Sequence, residues 1–133
     1  MSAPAGLLDT SVFIAQEGGR PLDSDRLPEQ GFVSVVTLAE LQAGVLAAKR
    51  TDDRARRLRT LEAVTALEPL PVTPDVAGQW ARVRVRLAET GRRVPVNDLW
   101  IAAIAVAHDL PVVTQDADFD PLDELGLVEV VHV

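Results

Sequence analysis

Short apolar runs alternate along the chain with longer stretches of helical period, the pattern of an α/β domain built on a largely parallel sheet. Gly6-Leu7-Leu8-Asp9 reads as a short buried strand, and a helix starts at Thr10-Ser11 and is broken by Gly18-Gly19 and Pro21. Phe32 to Val36 reads as a second strand. Thr37 opens a helix through about Ala48, with Leu38, Leu41, Val45 and Ala48 on one face. Thr51-Asp52-Asp53 caps the next helix, which runs to about Leu67 with the stripe Leu58, Leu61 and Val64. Leu70 to Thr73, punctuated by Pro69, Pro71 and Pro74, reads as a third strand. The helix after Pro74 carries Val76, Trp80, Val83 and Leu87 at helical spacing and stops at Gly91. Asn97 caps a strongly apolar helix to about Asp109. Pro111 to Thr114 is a strand, Gln115 to Asp120 an acidic loop, and Leu127 to Val133 a last strand. The predicted order is β-α-β-α-α-β-α-α-β-β.

Composition narrows the classes. The chain has 133 residues, of which 47% are hydrophobic, which fits one domain with a real core over 1–133. With no cysteine, disulfide scaffolds, thiolate zinc sites and cysteine nucleophiles drop out. Met1 to Thr10 lacks the pattern of a signal peptide, and the longest apolar run, Leu99 to Ala107, is far shorter than the ~20 residues of a membrane span. A cytoplasmic protein with no membrane partner is expected.

The net charge of −7 argues against non-specific nucleic-acid binding, but its distribution is uneven. Of 13 basic residues, six lie between Lys49 and Arg59 and five between Arg82 and Arg93, whereas Val94 to Val133 holds eight acids and no Lys or Arg.

The informative feature is where certain acids fall. Asp9 ends a strand, Glu40 and Asp98 sit in first turns of helices, and Asp116 and Asp118 follow a strand. In a parallel α/β sheet the carboxyl ends of the strands share one edge, where ligands bind, so these acids can converge. Each also has a plain structural reading. Asp9 can be an N-cap, Thr37-x-x-Glu40 a capping box, Asp98 a partner of the helix dipole, and Asp116 and Asp118 turn residues. Convergence would bring carboxylates together at a cost on the order of 3 kcal/mol per pair at ~5 Å and an effective dielectric of ~20. Such a cluster binds protons or a cation, and all-oxygen ligands select Mg²⁺ or Mn²⁺.

These residues carry a resemblance. Leu8-Asp9-Thr10-Ser11-Val12-Phe13-Ile14, Ser34-Val35-Val36-Thr37-Leu38-Ala39-Glu40-Leu41, Asn97-Asp98-Leu99-Trp100-Ile101-Ala102-Ala103 and Val113-Thr114-Gln115-Asp116-Ala117-Asp118-Phe119 stand in order along nearly the whole chain. Together they resemble the motifs of PIN-domain ribonucleases, and more narrowly of VapC-type toxins of bacterial toxin–antitoxin pairs.

The resemblance implies a single PIN-like domain, with a mostly parallel sheet flanked by helices and an active site at the carboxyl ends of the strands. It implies Asp9, Glu40, Asp98 and Asp116 as catalytic acids, with Asp9, Asp98 and Asp116 holding one or two Mg²⁺ (or Mn²⁺) ions. Thr10, Ser11, Thr114 and Asp118 would support them, though a cap or ST-turn is as good a reading of the hydroxyls. The implied reaction is hydrolysis of RNA to a 5′-phosphate and a 3′-hydroxyl, with Glu40 orienting the water or completing a second metal site. The implied partners are RNA, a cognate VapB-like antitoxin and a second copy of the chain. The antitoxin would place a basic side chain in the acidic pocket and a helix in a groove near Leu41, Val45, Leu58 and Leu61.

Basic side chains must hold the rest of an RNA. Arg50, Arg54 and Arg57 form one helical stripe, and Arg82, Arg86, Arg92 and Arg93 a second set. The plain reading of both is a solvated face with ion pairs. Trp80 and Trp100 read as packing residues, Trp100 with base stacking as its other reading. His108 reads as a helix-end cation, and the two distant histidines make no hydrolase triad. A receiver domain needs a late lysine, but Lys49 is the only one. A haloacid-type phosphatase needs an acid where Ser11 stands. The remaining alternative is a catalytically silent PIN-like module whose acidic pocket docks a basic partner.

Overall fold

The computed structural model describes residues 4–133. The reading of Met1 to Thr10 as lacking a signal peptide therefore begins outside the described residues. Four short strands make one wholly parallel sheet in the order β2-β1-β3-β4: β1 (Ala5–Leu8), β2 (Gln30–Phe32), β3 (Val112–Thr114) and β4 (Val130–His132). Leu7 is paired with Phe32 on one side and Val112 on the other, and Thr114 with His132. Two glycines leave room for side chains of the neighbouring strands. A Cβ on Gly6 would lie 2.7 Å from Val113 Cγ2, and one on Gly31 2.8 Å from Leu8 Cδ1.

The helices are α1 (Thr10–Glu17), α2 (Val35–Ala47), α3 (Thr51–Thr65), α4 (Pro74–Thr90), α5 (Val96–Ala107) and α6 (Asp120–Glu124), with a single 3₁₀ turn at Ser24–Arg26. α5 is the central helix. Leu99 and the run Ile101 to Ala105 are buried, packed with Val76, Val83 and Leu87 of α4 and Leu7 and Val112 of the sheet. Fully burying each large side chain here contributes ~1.5–3 kcal/mol before entropy is counted. Trp80 and Trp100 stack between α4 and α5 with centroids 5.0 Å apart, so both are packing residues as expected. A second, smaller cluster joins Phe13, Val33, Leu41 and Val64, with Leu38 and Leu61 against it.

Several boundaries differ from the sequence reading, each for a local reason. Strand β2 ends at Phe32, not Val36, because Ser34 caps α2: its Oγ accepts the Thr37 N–H at 3.1 Å. Val35 and Val36 thus enter the helix, Thr37 is no cap, and Glu40 moves to the second turn, out of reach of a capping box.

Leu70 to Thr73 is no strand. Leu70 makes one parallel bridge to Ser34, and the flanking prolines lack the donors needed to extend it. Helix α3 starts from Arg50 with no side-chain cap, so Asp52 and Asp53 lie inside its first turn. Helix α5 starts from Pro95, which puts Asn97 in the first turn rather than at the cap. The segment 120–124, predicted to lie between an acidic loop and a strand, is the short α6, and β4 begins only at Val130. Gly91 does end α4, in the left-handed region at φ 68°. Among the described residues no helix is long and apolar enough to cross a membrane.

Candidate active site

Asp9 leaves β1 and caps α1, and it is 2% exposed. Its Oδ2 accepts hydrogen bonds from Ser11 Oγ at 2.7 Å and Thr114 Oγ1 at 2.9 Å, with a weaker approach from the Ser11 N–H at 3.4 Å. Both hydroxyl protons are then spent on Asp9, so these oxygens act only as acceptors elsewhere. Ser11 Oγ accepts the Gln115 N–H at 3.0 Å, and Thr114 Oγ1 accepts the Asp116 N–H at 3.0 Å. The start of α1 is thereby sewn to the loop after β3.

Glu40 reaches the same place from α2. Thr10 Oγ1 donates to Glu40 Oε1 at 2.8 Å, so its contact with Thr37 Oγ1 at 2.9 Å has Thr37 as donor. Asp98 enters from the first turn of α5, and Asp116 and Asp118 from the loop after β3. Asp9, Glu40, Asp98, Asp116 and Asp118 all line one open pocket of about 630 Å³.

The electrostatics follow from that convergence. Burial, and then the charges of Asp9, Asp118, Glu40 and Asp116, push the Asp98 carboxyl up to about 7. Asp116 is also raised, by burial, Asp9 and Asp118, while Arg20 opposes the shift. Neither carboxylate accepts a side-chain or backbone hydrogen bond from the described residues, whereas Asp9 and Glu40 both do. A hard divalent cation is the ordinary complement of oxygen donors held against their own repulsion. The donor set fits such an ion, although among the described residues no three acids are already closed into a ligand cluster.

All four predicted catalytic acids come together. Of the supporting residues, Thr10, Ser11 and Asp118 line the pocket, and Thr114 is fully buried behind Asp9. None of the seven predicted RNA-binding arginines lines it. Arg54 donates to Ala48 O at 2.8 Å and Arg57 to Gly44 O at 2.7 Å, fastening α3 to α2. Arg50 is the exposed N-cap of α3. Arg82 bonds Gln79, Arg86 pairs with Glu89, and Arg92 pairs with Glu124. Arg92 and Arg93, with Arg84, line a separate cavity of about 470 Å³ that shares Val96 with the acidic pocket.

Sequence reasoning missed Arg20, Asn97 and the apolar rim of Ile14, Pro95 and Val96. Asn97 was legible as a residue beside Asp98, but Arg20 has no local signal, because only the turn after α1 brings it to the pocket.

A neighbouring groove of about 400 Å³ lies between α1, α2 and α3 and shares Ile14 and Glu40 with the pocket. Its walls include Leu41, Gly44, Arg56 and Arg57. Of the groove residues expected from the sequence only Leu41 lines it, because Leu61 packs toward the core. Among the described residues Glu17 Oε1 is buried there without a hydrogen-bond partner, with Arg56 Nε 3.9 Å away.

Residues 6–125 match the PIN domain family, so the parallel sheet and its acidic edge are those of a PIN domain. Ribonuclease VapC5 of Mycobacterium tuberculosis is 59% identical over 129 residues, covering 97% of this chain and 96% of that protein. Ribonuclease VapC4 of the same organism is 42% identical over 131 residues, covering 98% and 100%. The crystal structure of VapBC-5 from M. tuberculosis, a member of the VapBC family of toxin–antitoxin systems, superposes with a TM-score of 0.90 at 57% identity, over 98% of this chain and 99% of that one. The chain belongs to the VapC ribonuclease family.

Proposed function

We propose that this protein is the toxin of a toxin–antitoxin pair and cuts RNA at the acidic pocket with the help of a divalent cation, Mg²⁺ or Mn²⁺. The observation that carries the reading is Asp98, a half-buried carboxylate with no hydrogen-bond donor among the described residues, facing four other acids and raised to about 7. Asp9, Asp98 and Asp116 would hold the ion, with Asp118 assisting. A bound cation supplies Lewis acidity, which lowers the pKa of a coordinated water and offsets charge on the scissile phosphate.

The chain's own residues do the rest. Ser11 and Thr114 fix Asp9 by donating both hydroxyl protons to one oxygen, leaving Oδ1 available to a ligand. Thr10 fixes Glu40 in the same way, and Glu40 orients the attacking water. Attack in line on phosphorus breaks the P–O3′ bond, giving a 5′-phosphate and a 3′-hydroxyl. The strand would continue over Val96 toward Arg84, Arg92 and Arg93, the cavity without an acidic lining residue.

The partner of the same proposal is a cognate antitoxin. The α1–α2–α3 groove is apolar, opens on the acidic pocket through Ile14 and Glu40, and holds the unsatisfied Glu17 oxygen. A segment with apolar side chains and a basic residue would satisfy both. A homodimer and a cytoplasmic location, where RNA is met, complete the proposal.

The test maps new 5′ ends in total bacterial RNA incubated with antitoxin-free protein, with Mg²⁺ or with chelator. Discrete ends that vanish with chelator are expected. Metal-dependent stabilisation of the fold without any new end would instead favour the silent docking module.

A further inference from the structure

Among the described residues Arg20 is the only cation lining the acidic pocket. Two independent features put it there. The first is the end of α1. Gly19 takes φ 73°, its N–H bonds Gln16 O at 3.3 Å, and the Arg20 N–H bonds Ala15 O at 2.8 Å. This is a Schellman closure, and it fixes where the chain leaves the helix. The second is Gln115. Its side-chain Nε2 donates to Pro21 O at 3.2 Å and Val133 O at 2.6 Å, while its backbone N–H bonds Ser11 Oγ. The residue after Arg20 is therefore tied to the loop that carries Asp116.

The Arg20 side chain itself is uncommitted. It is exposed, and among the described residues it makes no ion pair. A guanidinium placed beside acids without closing on them suits a third party that is anionic, and its fork matches phosphate oxygens.

Resting on the ribonuclease reading, we infer that Arg20 is a substrate-binding residue that grips a phosphate of the RNA strand at the mouth of the acidic pocket.

The experiment compares the whole protein with Arg20→Ala, Arg20→Lys and the control Arg26→Ala, which removes the same charge from the same connecting segment outside the pocket. One arm measures kcat and KM for cleavage of single-stranded RNA with Mg²⁺. The other measures affinity for labelled single-stranded RNA by anisotropy with Ca²⁺, as a function of salt.

Arg20→Ala is expected to raise KM and weaken affinity about tenfold, the size of one charge-assisted contact. It should flatten the dependence of log K on log salt by about 0.7, one phosphate on a single strand. Arg20→Lys should restore most of the salt slope, and Arg26→Ala should match the parent.

Unchanged KM, affinity and slope in Arg20→Ala, with cleavage intact, would overturn this role and leave the ribonuclease reading standing. An altered Mn²⁺ affinity without a change in RNA binding would also overturn it, reducing Arg20 to a counter-charge for Asp116. If affinity in Ca²⁺ is too weak to read, KM decides. A parent protein that neither binds nor cuts RNA would bring down both readings.

Discussion

Asp9 and Glu40 stand in a different physical situation from Asp98 and Asp116, though all four line the same pocket. The first pair is tied: Ser11 and Thr114 donate to Asp9, and Thr10 donates to Glu40. The second pair comes from α5 and the loop after β3, has no such donors, and is driven toward protonation by burial and its neighbours. The contrast teaches how a fold can keep an anionic site ready. Half of it is rigid before any ligand arrives, and the repulsion is concentrated in the half that a cation would relieve. On this view, removing a side chain from one half should have the opposite effect on stability to removing one from the other.

Asp98→Asn gives the largest expected effect. Cleavage should fall on the order of a thousandfold or more, since the variant would lose a charged oxygen ligand of the proposed cation. The metal-free fold should become more stable above pH 7, because an uncompensated carboxylate is gone. In the parent, Mn²⁺ at a hundred times its Kd should add about 2.7 kcal/mol, read as a rise in Tm, and most of that rise should disappear in the variant. Retained cleavage by Asp98→Asn would remove Asp98 from the active site.

Thr114→Val tests the tied half. It leaves the buried Asp9 oxygen short of a donor and the Asp116 N–H short of an acceptor, so a loss of about 1–3 kcal/mol is expected in denaturant unfolding, with Thr114→Ser close to the parent. A neutral Thr114→Val would show that these hydroxyls do not hold the site.

A further expected effect is a slope in stability against pH. The Asp98 carboxyl rises from 3.8 to about 7 on folding, so between those values the native state holds a proton that the unfolded chain has released. The contribution of Asp98 to the stability of the metal-free protein should therefore be fully present below the lower value, decline as pH climbs toward the upper one, and then level off. Chemical denaturation across that window checks it, and Asp98→Asn should flatten the decline.

The tied half and the untied half are equally legible in the sequence, because each acid sits at a strand end, in the loop after one or in an early helical turn, where a parallel sheet gathers residues. Periodicity also placed the core stripe Val76, Val83 and Leu87 correctly. What it could not show depended on tertiary choices. Thr37 reads as the helix opening, but the helix starts earlier with Ser34 as its cap, which frees Glu40 for Thr10. The run 70–73 has strand-like residues, but its prolines permit one bridge and no more. The arginine stripe on α3 looked solvated or RNA-facing, whereas Arg54 and Arg57 bond carbonyls at the end of α2. Arg20 was invisible because its place is set by a turn and by a glutamine 95 positions further along.

The order of the sheet has a consequence for the timing of synthesis. Strand β3 lies between β1 and β4, yet it follows α1 to α5 in the chain. A ribosome moving at ~5–20 residues per second releases the N-terminal segments first. While it does so, β1 and β2 can pair, but the strand that anchors Asp116 beside Asp9 does not yet exist. A partly made chain thus holds three of the four acids and no assembled pocket. If an antitoxin takes the α1–α2–α3 groove as proposed, the interval before β3 emerges is time in which it would meet that groove before the site beside it is complete.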